Sequence, residues 1–208
     1  MKKAEFRDVG AGDIGDVKRL IYLTWEWPKM IKGQSTIDAT LGVYVNQVLN
    51  ASTFARVAVV DGEVVGVIFC GAAGESPVYR MLQDSGAEHA LALLNAPEDD
   101  RVDICHALSM LTKAYDTHLE GREYDGTITF LAICPEAQGM NLGRQLWNLA
   151  EEYFKTHNTK SIYLFTDTSC NYGFYEHLGF SRRHEQDLKF HLNGENLDIT
   201  SYLYDYQC

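Results

Sequence analysis

Residues 128–144, ITFLAICPEAQGMNLGR, constrain this chain more than any other stretch. A run rich in β-branched and aromatic residues (Ile128, Thr129, Phe130, Leu131, Ile133) ends at Pro135, and helix-forming sequence begins near Asn141. The pattern predicts a strand, a short loop and a helix start. Backbone N–H groups at a helix start have no intrahelical acceptor and sit at the positive end of the helix dipole, so the loop 138–143 suits an anion such as a pyrophosphate. Gly139 and Gly143 would allow positive φ and a close backbone approach. Two familiar phosphate loops are excluded, because the stretch has neither the GK[ST] ending of a P-loop nor G-x-G-x-x-G spacing.

The rest of the chain supplies elements to frame that loop. Residues 4–9 alternate and predict a short first strand. Ile14, Val17, Leu20, Ile21 and Trp25 fall at helical spacing, with Asp13 as a cap and Pro28 as a stop. The aromatics of this helix are too dense for one apolar stripe, so some of them should face something besides the core, either a hydrophobic neighbour or the wall of an acceptor pocket. A second helix follows over 36–49, then two strand-like runs joined by Asp61-Gly62, a hairpin signal. Gly66 marks a bulge or a close approach.

Residues 75–120 turn helical in composition, with two helices separated by a turn at 96–100. His89, His106 and His118 lie here at separations that match no common metal set, and no metal is expected. Beyond the loop come a helix over 142–157, a short apolar strand over 161–166 of the kind buried in a parallel pair or a sheet centre, and a short helix over 171–178 closed by Gly179. A final hairpin turns at 193–196.

Bulk properties narrow the function classes. A net charge of −11 and a pI near 5.0 argue against nucleic-acid binding and favour a cationic or neutral small partner. The five cysteines are scattered with no CxxC pair, which suggests reduced thiols and a cytoplasmic setting. No apolar run approaches the roughly 20 residues of a membrane span, so no membrane partner is expected.

Two blocks then carry a family resemblance. Residues 131–143, LAICPEAQGMNLG, are similar to the strand and [QR]-x-x-G-x-[GA] loop of the GNAT superfamily of acyl-CoA-dependent N-acyltransferases. Residues 171–180, NYGFYEHLGF, resemble its N-x-x-x-x-FYExxGF region. The element order matches over nearly the whole chain apart from residues 75–120. The resemblance implies an α/β (α+β) fold with a mixed, mostly antiparallel central sheet of about seven strands flanked by helices. It also implies one domain over 1–208 with a helical insertion between strands 3 and 4. The insertion falls where the family has a short loop, and it either caps the acceptor pocket or builds a homodimer contact. One departure is plain: Asn141 stands where the family usually has its middle glycine. Asparagine tolerates left-handed conformations and keeps its N–H.

The implied activity is N-acetyl transfer from acetyl-CoA, a co-substrate, to a primary amine of a small molecule or peptide, without a metal. On this resemblance Ile133 bonds the pantetheine arm through its backbone. Gln138, Gly139, Asn141 and Gly143 offer N–H groups to the pyrophosphate within a loop that also includes Met140 and Leu142, and Arg144 adds charge. Asn171 holds the pantetheine region, and Tyr175 is the general acid for the leaving thiolate. The base is not identified; Glu123 and Asp125, just ahead of the strand, are candidates. Trp25, Trp27, Tyr44, Tyr79, Tyr202 and Tyr204 are candidates for the acceptor pocket. A non-catalytic acyl-CoA-binding domain and a protein-directed acetyltransferase are the alternative readings.

Overall fold

The computed structural model of the chain describes residues 3–25, 27–83 and 86–208. Seven strands form one sheet in the order β1-β2-β3-β4-β5-β7-β6: β1 Glu5–Asp8, β2 Phe54–Val60, β3 Glu63–Ala72, β4 Gly126–Ile133, β5 Ser161–Asp167, β6 Ser181–Leu192 and β7 Glu195–Gln207. Both long hairpins close through two-residue turns whose residues all have positive φ, Asp61 (53°) with Gly62 (86°) and Asn193 (53°) with Gly194 (78°). That geometry matches the right-handed twist of the flanking strands. Every neighbouring pair is antiparallel except β4 with β5.

The β4–β5 pair positions everything else. It is joined at Gly126↔Ile162 and Thr127↔Tyr163 alone, and the strands separate beyond those two pairs. A bulge on β4 at Thr129, between the pairs Phe69↔Phe130 and Cys70↔Ile128, adds the bend that opens the gap. A second bulge puts Val65 opposite the Ala58–Val59 step. Gly66 then answers to both sequence expectations, because it flanks that bulge and a Cβ there would lie 2.5 Å from Ile133 Cδ1.

Helices cover both faces. On one lie α1 Ile14–Thr24, α2 Trp27–Met30 and α3 Gln34–Ala51 over β3 and β4. On the other, α6 Leu142–Thr156 buries Leu142, Leu146, Ala150 and Phe154 at helical spacing, and α7 Gly173–His177 lies beside its N-terminus. The insertion consists of α4 Gly86–Leu94, packed on α3, and α5 Glu98–Leu119, packed on β6 and β7. Asp84 and Ser85, within it, lie outside the described residues.

Two local expectations are corrected. The first helix breaks at Trp25, whose backbone is extended (φ −127°, ψ 153°), and restarts at Trp27; the crowding of aromatics reflects that break. Asp13 does not cap α1: its carboxylate accepts from Gly10 N–H and pairs with Arg7 at 2.7 Å. Strand β5 lies inside the sheet in its one parallel pair, as expected, with Ile162, Leu164 and Thr166 buried on one face and Tyr163, Phe165 and Asp167 half-buried on the other. It pairs with β4 over two residues only, and its second face turns to the insertion.

Candidate active site

After β4 the chain makes a 3₁₀ turn at Pro135–Ala137 and enters α6. Gly139 (φ 82°) and Asn141 (φ 60°, ψ 23°) are both left-handed, and Asn141 makes no side-chain capping bond. Asparagine therefore reproduces the backbone that a glycine would give. Among the described residues, the N–H groups of Gly139, Asn141, Leu142, Gly143 and Arg144 have no hydrogen-bond acceptor. A Cβ on Gly139 would meet nothing within 4 Å, so the loop is open on the side where a ligand would approach. The result is a cradle of five N–H donors at the positive end of a 15-residue helix.

Two loop residues differ from expectation. Gln138 N–H donates to Pro135 C=O at 3.2 Å and Met140 N–H to Ala137 C=O at 3.4 Å, because the 3₁₀ turn uses them. Gln138 thus has no free backbone donor, whereas Leu142 and Arg144 do. Gly143 is helical, with no positive φ. It is small because a Cβ there would lie 3.1 Å from the ring of Phe174.

That close approach brings the two motifs together. Phe174 of α7 rests on the first turn of α6, and Arg144 Nη2 donates to the His177 carbonyl at 3.2 Å. Glu176 anchors α7 to the last hairpin, accepting from Tyr204 Oη at 2.6 Å and Arg182 Nη2 at 2.8 Å. Gly179 (φ 94°) ends the helix with N–H donation to Glu176 C=O, and Phe180 N–H reaches Tyr175 C=O. Tyr175 is held among the rings of Phe174, Phe180 and Tyr204, with centroids 5.4, 5.8 and 6.3 Å away. Burial, with smaller contributions from Cys170 and Cys70, pushes its phenol well above the usual tyrosine value, so the proton stays on through neutral pH.

Ile133 ends β4 beside the gap. Cys134 N–H donates to Val65 C=O on the β3 side at 2.8 Å. Strand alternation therefore turns the N–H and C=O of Ile133 toward β5, where no strand pairs with them. Asn171 is exposed at the start of the α7 segment, its carbonyl accepting from Phe174 N–H.

The acceptor-side candidates divide. Trp25, Trp27, Tyr44 and Phe130 form one edge-to-face cluster, with Trp25–Tyr44 centroids 5.6 Å apart and Tyr44–Phe130 6.0 Å. Tyr79 is elsewhere, buried with its hydroxyl donating to Asp8 and accepting from Ala55 N–H. Tyr202 and Tyr204 lie on the α7 face, packed against Tyr172 and Tyr175. Asp125 holds Lys160 N–H and Ser161 N–H at the far end of β4. Eight strand residues separate Asp125 and Glu123 from the loop, roughly 25 Å. Asp125 thus lies at the closed end of the β4–β5 pair, its carboxylate engaged by backbone donors.

Sequence reasoning missed the opposite wall. Tyr115 of α5 stacks on Phe165 of β5 at 4.1 Å and 8°, across the gap from Tyr44. Tyr44 is half-buried on α3, and its phenol pKa is raised by its burial first and then by Tyr115 of α5, Cys170 and Tyr175 of α7. The signal available beforehand was the outward alternation of Tyr163, Phe165 and Asp167. Two surface hollows, of about 360 and 420 Å³, contain neither loop residues nor Tyr175. Among the described residues no group of three or more His, Cys, Asp or Glu is placed to hold a metal, and no helix is long and apolar enough to cross a membrane.

The sequence matches the acetyltransferase (GNAT) family over residues 19–180. No curated protein matches it. Among solved structures, a mosquito arylalkylamine N-acetyltransferase-like 5b protein superposes with a TM-score of 0.60 at 18% identity, covering 99% of this chain and 100% of that one. The Escherichia coli ribosomal-protein-S18-alanine N-acetyltransferase gives 0.54 at 9% identity, covering 99% and 94%. Spermidine/spermine N-acetyltransferase SpeG from Vibrio cholerae gives 0.51 at 16%, covering 99% and 92%. These likenesses are to the fold, while the family match spans the gapped strand pair, the N–H cradle and the docked FYE helix: the chain belongs to the GNAT acetyltransferase family.

Proposed function

We propose that the protein transfers an acetyl group directly from acetyl-CoA to a primary amine, with Tyr175 as general acid. The observation that carries this reading is the cradle of unpartnered N–H groups at the start of α6, locked against the helix that bears Tyr175. The residues fit the co-substrate. Gly139, Asn141, Leu142, Gly143 and Arg144 would hold the pyrophosphate by backbone donors. The pantetheine arm would lie along the free edge of β4 at Ile133, with Asn171 at its other side, which places the thioester in the gap.

The amine attacks the thioester carbonyl, a C–N bond forms, and the C–S bond breaks. Tyr175 Oη gives its proton to the departing sulfur as that bond breaks, and the nitrogen loses one proton to become the amide. The burial that keeps the phenol protonated also raises the proton affinity of a thiolate in the same place, so donor and acceptor remain matched. The free backbone N–H of Ile133 is placed to stabilise the carbonyl oxygen as it gains charge. The acidic chain favours a cationic acceptor.

The test is thiol release from acetyl-CoA across an amine panel, with Tyr175→Phe as the comparison. Amine-dependent release that falls at least tenfold in kcat in the variant, at unchanged acetyl-CoA affinity, supports the reading. Binding of acetyl-CoA with no release for any amine contradicts it.

A further inference from the structure

The seam between α3 and α5 has a composition that the transfer chemistry does not require. Trp25, Tyr44 and Phe130 form one bank, with ring centroids 5.6 to 6.2 Å apart. The stacked pair Tyr115 and Phe165 forms the other. Strand β5 alternates, so Asp167 projects on the same face as Phe165 and Tyr163, two residues beyond Phe165 toward the open end of the gap. Its Oδ1 accepts from Ser169 N–H at 2.7 Å and from Ser169 Oγ, while Oδ2 has no donor among the described residues. Burial is the main cause that raises the phenol pKa of Tyr44 and Tyr115, and Asp167 adds to both, as no other carboxylate among the described residues does. Cys170, also close, is kept as the neutral thiol by burial and by Asp167.

We propose that Asp167 is the group that receives the acceptor amine, and that the aromatic banks around it select a primary monoamine carrying a flat apolar body. This rests on the acetyltransferase reading above. Rings supply faces for the body of such a molecule and for its cationic end. A polyamine needs several carboxylates along its length, and a lysine-bearing peptide needs an open groove; one carboxylate on the aromatic face of β5, two residues beyond Phe165, matches neither.

Asp167 also completes the proton balance. The bound ammonium first sheds one proton to solvent; when the resulting neutral amine attacks, its nitrogen gains a bond and becomes strongly acidic. One N–H proton passes to Asp167 Oδ2 while Tyr175 gives its own to sulfur. The products are the amide and the free thiol, leaving a protonated Asp167 and a Tyr175 phenolate that re-equilibrate through solvent. Asp167 ends β5 at the open end of the gap, and Tyr175 is carried by α7, the next helix in the chain.

The experiment is steady-state thiol release by the full chain with 2-phenylethylamine, spermidine and a lysine-containing peptide as acceptors. Wild type, Asp167→Asn and Tyr115→Leu are compared, and acetyl-CoA affinity is measured separately by calorimetry. Asparagine retains Oδ1 for the Ser169 bonds, and a thermal melt checks that each variant folds. We expect 2-phenylethylamine to be the best acceptor by at least tenfold in kcat/KM. Asp167→Asn should lower its kcat/KM at least thirtyfold, and Tyr115→Leu should raise its KM at least fivefold, with acetyl-CoA affinity unchanged in both. Equal or better use of spermidine or the peptide overturns the inference while leaving the transferase reading standing. So does an Asp167→Asn enzyme within twofold of wild type. Acetyl-CoA binding with no thiol release from any acceptor overturns both.

Discussion

Replacing Asn141 by glycine and by alanine separates what its backbone does from what its side chain does. The residue sits at φ 60°, ψ 23° just before α6 and makes no side-chain capping bond. A non-glycine residue in that region is strained by roughly 1–2 kcal/mol, and asparagine by less. Asn141→Ala should therefore lose about 1 kcal/mol, which in a chain of this size lowers Tm by about 2–4 °C. Asn141→Gly removes the strain and adds backbone entropy to the unfolded chain, so its net effect should stay within about 0.5 kcal/mol. Both variants keep the N–H, and glycine keeps the conformation as well, so acetyl-CoA affinity of Asn141→Gly should stay within about threefold. Loss of a hydrogen bond to a charged group would cost about 1.5–3 kcal/mol, or tenfold and more. Thermal melts and calorimetric titration read both quantities. A folded Asn141→Gly that binds tenfold more weakly, or an Asn141→Ala that melts with wild type, would refute the argument.

Other expectations follow from the same structure. His118, fully buried on α5, bonds His184 Nδ1 at 2.7 Å and Ser201 Oγ at 3.1 Å; burial, then His184 and Arg122, lower its pKa to about 4. Since the fold disfavours the proton, its contribution is complete above the ordinary value near 6.5 and is lost as pH falls from there toward 4. Urea midpoints at pH 7.5 and 4.5 should show a loss of up to about 2 kcal/mol, allowing for partial solvent screening, that shrinks in His118→Gln; an identical pH dependence in the two proteins contradicts this. Gly143→Ala should cost about 1–2 kcal/mol, seen as a lower Tm, because its Cβ would press on Phe174. In Tyr175→Phe, kcat should fall roughly a hundredfold with calorimetric acetyl-CoA affinity intact; a matching fall in affinity would mean that the hydroxyl holds the co-substrate instead of donating a proton.

The sheet and both motifs were legible in the sequence because their signals are local. Asp61-Gly62 and Asn193-Gly194 specify hairpin turns, Gly179 a helix end, and the 3.6-residue spacing of Leu142, Leu146, Ala150 and Phe154 a helix face. The run of free N–H groups at the start of α6 was legible for the same reason, since such groups belong to any helix start. What escaped was everything set by three-dimensional direction. Asp125 and Glu123 are near the loop in sequence yet lie at the opposite end of an eight-residue strand. Tyr202 and Tyr204 were expected with Tyr44, but strand parity puts them on the other face. Gln138 lost its donor to a 3₁₀ turn of one residue's difference from a free loop. The insertion departs from the family pattern, so its contribution of Tyr115 to the seam became visible only when α5 was seen lying along β6 and β7.

Calorimetric titration of acetyl-CoA into the purified chain tests the central claim most directly. A one-to-one heat with a micromolar Kd, about −7 kcal/mol or stronger, and competition by free coenzyme A, is the expected result. No saturable heat up to millimolar acetyl-CoA, from a protein that melts cooperatively, would show that the N–H cradle at the start of α6 does not hold this co-substrate.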